Sequence, residues 1–124
     1  MPLTYNQMVV QSTFSDAEVD RIFHALADGT RRDIVRRTTL VEASVSDLAA
    51  SYDMSFAAVQ KHVAVLESAG LVTKRADGRQ RLVCANPAAI RRAQELLAEY
   101  EQLWRARVDR LDDLFAQERE NPGD

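Results

Sequence analysis

The chain has 124 residues, with 16 Lys and Arg against 19 Asp and Glu and a formal net charge of −3. That length fits one domain, and the acidic balance argues against a uniformly basic nucleic-acid binder while leaving a local basic face open. A single cysteine, Cys84, excludes an internal disulfide and a cysteine-rich zinc site.

The N-terminus, MPLTYNQMVVQSTF, has neither the basic start nor the long apolar run of a secretion signal. No stretch approaches the ~20 apolar residues of a membrane span. Together with one thiol these features lead to the expectation of a soluble, cytoplasmic protein with no membrane partner. Residues 1–14 carry no sustained period and are expected to form a flexible arm. Residues 15–120 should form the folded domain, and 121–124 a frayed tail.

Ser15 and Glu18 have the spacing of a capping box. They open a helix whose apolar face is Val19, Ile22, Phe23 and Leu26. Asp28-Gly29 ends it, and Thr30 is expected to open the next, TRRDIVRRTTL, with Ile34 and Val35 inward. Arg31 and Arg32 can either reach a nucleic-acid backbone or pair with Asp33 or Glu42. A short helix follows, capped by Ser44 or Ser46, with Leu48, Ala49 and Tyr52 on its buried side. Asp53-Met54-Ser55 is a turn, and Ser55 is a natural cap for the next helix, 55–69.

That helix, SFAAVQKHVAVLESAG, raises a question, because Gln60, Lys61 and His62 sit in the middle of an apolar run. At 100° per residue, Val63 and Leu66 fall within about 40° of Val59, whereas Lys61 falls almost opposite. Ala57, Gln60 and Ala64 share the outward side, and His62 lies at the margin. The polar residues therefore form a solvent-facing stripe flanked by small side chains. An ordinary solvated face would look the same in isolation. The context favours another use, since a short helix, a tight turn and this helix make a helix-turn-helix, which presents its second helix to the DNA major groove.

The period then changes. Leu71, Val72, Leu82 and Val83 are strand formers around Asp77-Gly78, a hairpin signal. Lys74, Arg75, Arg79 and Arg81 crowd its tip. From Ser55 to Arg92 the basic residues are Lys61, Lys74, Arg75, Arg79, Arg81, Arg91 and Arg92, against the acids Glu67 and Asp77. Positive charge is thus concentrated on one module, as phosphate contact requires. The expected DNA-binding residues are Ser55, Phe56, Ala57, Gln60, Lys61, His62, Lys74, Arg75, Arg79 and Arg81, with helix 55–69 in the groove and wing 74–81 on the backbone. His62 is expected to make a phosphate or structural contact rather than to read a base.

Pro87 starts a last helix, from about 87 to 119 and near ~50 Å long. Ile90, Leu97, Trp104 and Leu111 recur every seven residues, and Ala93, Tyr100, Val108, Leu114 and Phe115 widen the stripe. This is more apolar surface than a small core can cover, so a second copy is the expected cover. The expected dimer interface is Val19, Ile22, Phe23, Ile90, Leu97, Tyr100, Trp104, Val108, Leu111 and Phe115. The fold expected is mostly α with a small β-hairpin, in the order α-α-α-α-β-β-α.

The segments ALADGTRRDIVRRT, VSDLAASYDMSFAAVQKHVAVLESAGLV and KRADGRQRLVCANP, with RARVDRLDDLF after a tryptophan, resemble the ArsR-family winged-helix repressors over about residues 20–116. The resemblance implies a homodimeric transcriptional regulator on a palindromic operator in double-stranded DNA. An effector would act by changing the spacing of the two recognition helices, and the sequence names none. Where Phe56 stands the family often has a polar residue or proline, and where Gln60 stands, a serine. Family members that sense metals often carry Cys-x-Cys in the helix before recognition, and the present SVSDLAAS has no cysteine. The terminal helix lacks histidine. His24, His62 and Cys84 make no soft-ion cluster, so no metal and no cofactor are expected. His24 reads as a structural or interface residue, and Cys84 as a small buried hydrophobe rather than a redox switch. No catalytic constellation is present. The rival to a DNA-binding regulator is a winged-helix module that binds protein and not DNA.

Overall fold

The computed structural model describes residues 15–120; the expected arm 1–14 and tail 121–124 lie outside them. The elements are α1 (Asp16–Leu26), α2 (Gly29–Leu40), β1 (Ala43–Ser44), α3 (Val45–Ala49), α4 (Phe56–Ser68), β2 (Val72–Asp77), β3 (Gln80–Ala85) and α5 (Pro87–Glu120). The protein is mostly helical with a small antiparallel sheet of strand order β1-β3-β2. The hairpin expected from Asp77-Gly78 is therefore a three-stranded sheet. Its third strand pairs Ala43 with Val83 and Ser44 with Leu82.

Local chemistry sets most boundaries. Ser15 and Glu18 form the expected capping box, Glu18 N donating to Ser15 Oγ at 3.2 Å and Ser15 N to Glu18 Oε1 at 3.3 Å. Asp28 does not merely end α1. Its carboxylate caps α2, accepting from Arg31 N at 3.0 Å, so the helix starts at Gly29 rather than Thr30. Ser44, not Ser46, caps α3, and Ser55 caps α4 by accepting from Ala58 N at 3.1 Å. Beyond α4, Gly70 adopts φ +76°, a left-handed conformation that suits glycine. Gly70 N donates to Glu67 O and Leu71 N to Leu66 O, both at 3.0 Å, which makes a Schellman closure. In the hairpin, Asp77 pairs with Gln80, leaving Gly78 and Arg79 as a two-residue turn with Gly78 at φ +63°.

The core of the unit ending at Ala93 is built from Ile22, Ile34, Val59, Val63, Leu66, Leu71, Val72 and Val83, all fully buried. Val59, Val63 and Leu66 are the inward face of α4 that the wheel requires. Burial of each such side chain stabilises the fold by roughly 1.5–3 kcal/mol. Asn86 joins the sheet to α5: its backbone N–H donates to Leu71 O at 2.8 Å and its side-chain amide to Gly70 O at 2.9 Å. Its Oδ1 accepts from Ala88 N at 3.3 Å. Ala89 and Ala93 are the buried residues of α5. A second compact unit begins at Gln94 and consists of the remaining turns of α5.

Candidate nucleic-acid interface

With Val59, Val63 and Leu66 committed to the core, α4 turns Ser55, Phe56, Ala57, Gln60, Lys61 and Ala64 to the outside, and all six are exposed. Beside them the wing and the start of α3 enclose an open hollow of about 300 Å³ lined by Ser44, Val45, Ser46, Phe56, Gln60, Lys74, Arg79, Gln80 and Arg81. Five expected DNA-binding residues, Phe56, Gln60, Lys74, Arg79 and Arg81, therefore share one concavity. Ser44, Ser46 and Gln80 were not expected there. Ser44 and Ser46 read in sequence only as alternative caps of α3, and nothing local to them or to Gln80 reports that the fold brings them beside α4.

The wing cations divide into two kinds. Arg75, at the exposed edge of β2, forms an ion pair with Glu42, next to β1. Lys74 is half-buried, its ammonium 3.8 Å from Glu67 on α4. Among the described residues, Lys61, Arg79 and Arg81 have no ion-pair partner. Those three are the cations of the helix and wing that no carboxylate holds among the described residues.

His62 is half-buried, and the structure places it against the α1–α2 junction. Its Nδ1 lies 3.3 Å from Arg31 Nη1 and 3.9 Å from Asp28 Oδ2. The two contacts ask for opposite tautomers. The guanidinium can only donate, so the shorter contact is a hydrogen bond only where Nδ1 accepts. These contacts tie α4 to the junction of α1 and α2. The Asp28 carboxyl is held below the usual range, first by the backbone N–H of Arg31.

Arg31 and Arg32 pair with neither Asp33 nor Glu42, which are held by Arg36, Arg37 and Arg75. Arg31 Nε donates to Ala25 O at 2.7 Å and Nη2 to His24 O at 3.0 Å, while Arg32 Nη1 donates to Leu26 O at 2.8 Å. They cap the C-terminal carbonyls of α1, where cationic donors are favoured. The sequence LADGTRR is thus a two-way cap, Asp28 serving α2 and the arginines serving α1.

A second cluster holds the turn of the helix-turn-helix. Asp33 accepts from Tyr52 Oη at 2.6 Å, Arg37 Nε at 2.7 Å and Arg36 Nη2 at 3.0 Å. These donors, Tyr52 first, hold the Asp33 carboxyl well below its ordinary range. Burial, reinforced by the Asp33 carboxylate, pushes the Tyr52 phenol up to about 12. Arg37 lies 5.3 Å from the Tyr52 ring centroid.

Among the expected interface residues, Ile22 is corrected: at 1% exposure it belongs to the chain's own core and offers a second copy no surface. Phe23 is half-buried against that core, and Val19 is half-buried. Ile90, Leu97, Tyr100, Trp104, Leu111 and Phe115 are exposed, Trp104 at 63%, and Val108 is half-buried. Leu103, not singled out from sequence, is exposed as well. Burial, followed by the neighbouring Glu42 carboxylate, pushes the Cys84 thiol up, away from the reactive thiolate. Among the described residues no group of three or more His, Cys, Asp or Glu is placed to hold a metal ion, and no helix is long and apolar enough to cross a membrane.

A capped helix with an outward amide and ammonium, a preceding short helix and turn, and a cationic hairpin beside it define a winged helix-turn-helix. Comparison with known proteins agrees. A family model described as a helix-turn-helix domain matches residues 26–75. An HTH-type transcriptional regulator of Mycobacterium tuberculosis is 42% identical over 77 residues, a match spanning 62% of this chain and 62% of the relative. The crystal structure of an ArsR family transcriptional regulator superposes with a TM-score of 0.69 at 33% identity, covering 74% of this chain and 95% of that one. The solution structure of a homodimeric winged helix-turn-helix DNA-binding domain from Mycobacterium bovis, a possible ArsR-family regulator, gives a TM-score of 0.56 at 25% identity, covering 75% and 94%. The chain belongs to the ArsR family of transcriptional regulators.

Proposed function

We propose that the protein is a homodimeric repressor that occupies an inverted-repeat operator, with α4 in the major groove and the β2–β3 wing on the sugar–phosphate backbone. The observation that carries this reading is the continuity of the exposed α4 stripe with the wing around one concavity, with Lys61, Arg79 and Arg81 unpaired. The major groove admits a helix and offers base edges to amide and cationic side chains. Ala57 and Ala64 let the helix backbone approach, and the arginines at the wing tip fix its position on the phosphates. Arg75 stays with Glu42 and serves the wing's attachment more than the DNA.

The dimer rests on the apolar face of α5. Leu97, Tyr100, Leu103, Trp104, Leu111, Leu114 and Phe115 are exposed, more large apolar surface than a lone protomer leaves in water without a partner. The homodimeric state of the M. bovis neighbour supports a second copy as that partner. Two-fold symmetry then sets the recognition helices about 34 Å apart, one turn of duplex, which calls for an inverted repeat. Occupying such a site represses by excluding the transcription machinery from it.

The test is binding to DNA from upstream of the protein's own gene, measured against salt, for the wild type, Lys61→Glu and Arg79→Glu. Specific binding that weakens steeply with salt and is abolished by either substitution supports the reading. Binding of a protein partner that ignores both substitutions, with no DNA affinity, supports the winged-helix interaction module instead.

A further inference from the structure

Phe56 is the first residue of α4 and is 49% exposed. It is absent from the side chains packed against the core, although Tyr52 and Met54, just before it, are among them. A large aromatic is thus left half in water at the leading end of the helix. It lines the same hollow as Gln60 and the wing cations. Phe56 and Gln60 are four residues apart, hence neighbours on one helix face with Cβ atoms roughly 6 Å apart. Side chains tilt toward a helix N-terminus, so the phenyl ring leads and the amide follows.

Resting on the proposed placement of α4 in the major groove, we infer that Phe56 and Gln60 together select A·T pairs, Phe56 through a thymine methyl and Gln60 through an adenine. The only apolar group a base pair offers in that groove is the C5 methyl of thymine, and a primary amide matches adenine N6 and N7. A separation of roughly 6 Å against a base-pair rise of ~3.4 Å puts the two contacted pairs within two steps of each other. The half-site therefore holds a thymine and an adenine at adjacent or next-adjacent positions. Lys61, about 100° round the helix from Gln60, and the wing arginines supply affinity for phosphate without sharing in this choice.

The full chain is used to select duplexes from a randomised pool, and two chemical edits are then made in the selected site. Replacing the contacted thymidine by deoxyuridine removes only the methyl, and the expected loss is roughly four-fold. Phe56→Ala should bind the two duplexes equally. Replacing the contacted adenine by 7-deazaadenine removes the N7 acceptor; it should weaken the wild type and leave Gln60→Ala unmoved. Gln60→Ala should also lose roughly ten-fold in discrimination between adenine and the other bases at that position. Sequence-specific binding that ignores both edits at every A·T pair overturns this inference and leaves the DNA-binding reading standing. Binding that selects no sequence, or no DNA binding at all, overturns both. Both edits are made on the DNA and are read first with the wild type, so the overturning result does not depend on either variant folding; the variants assign each contact to its residue.

Discussion

Arg79→Gln and Arg75→Gln remove the same charge from the same wing and should have different consequences. Arg79 is exposed in the hairpin turn with no ion-pair partner, whereas Arg75 is held by Glu42. With one phosphate for each of Lys61, Arg79 and Arg81, a dimer makes roughly six such contacts, and log K should fall against log salt with a slope near −5.4. Raising salt from 50 to 200 mM then weakens the wild type roughly 2000-fold. Arg79→Gln deletes one contact per protomer, so the slope should relax to about −3.6 and the same salt step should cost roughly 150-fold. Arg75→Gln should leave the slope close to that of the wild type, because its guanidinium is already neutralised. The assay is fluorescence anisotropy of a labelled duplex over that salt range. Equal relaxation of the slope in both variants, or none in Arg79→Gln, would refute the division of the wing cations.

Three further outcomes follow from the structure. Trp104→Ala should weaken self-association at least roughly 30-fold by sedimentation equilibrium, the loss typical of a central aromatic anchor. Trp104 is the chain's one tryptophan, so wild-type emission should shift to the red on dilution; an emission maximum independent of concentration, with unchanged mass, would count against this interface. Gly70→Ala meets no atom within 4 Å, so its cost is purely the left-handed backbone, about 1 kcal/mol and a drop in Tm of roughly 4 °C; an unchanged Tm would contradict that. The folded-state pKa of Asp33 is depressed, so its contribution is full above the ordinary carboxylate value near 4 and is lost as pH falls through that range toward the folded value. Asp33→Asn should therefore destabilise the protein by about 1–2 kcal/mol at pH 7 and by progressively less below pH 4. A deficit in urea unfolding that stays constant with pH would refute the assignment.

Periodicity and capping chemistry made most of the fold legible. Ser15 and Glu18, Ser55, Gly70 and Asp77-Gly78 act on their own neighbours, and each does in the structure what its spacing required. The same holds for the two faces of α4, which a wheel separates without knowledge of the core. The elements that escaped depend on distant partners. At two residues β1 shows no alternation, and it exists because Ala43 and Ser44 meet Val83 and Leu82. Arg31 and Arg32 reach back six or seven residues to carbonyls that only the angle between α1 and α2 brings near. Ile22 lies on the same stripe as Val19 and Phe23, and a stripe alone does not say which of its members the chain's own core consumes. Equally, four basic residues on a hairpin look alike in sequence. Glu42 and Glu67, from outside it, make two of them different.

The central claim is that the outward side of α4 meets base edges. The most direct measurement is the crystal structure of the protein with its selected duplex. The expected result is the Gln60 amide within about 3 Å of a base edge in the major groove, the wing arginines on phosphates, and two such helices related by a two-fold axis. A complex in which Gln60 and Lys61 face the partner subunit or bulk solvent, with the duplex held elsewhere, would contradict it.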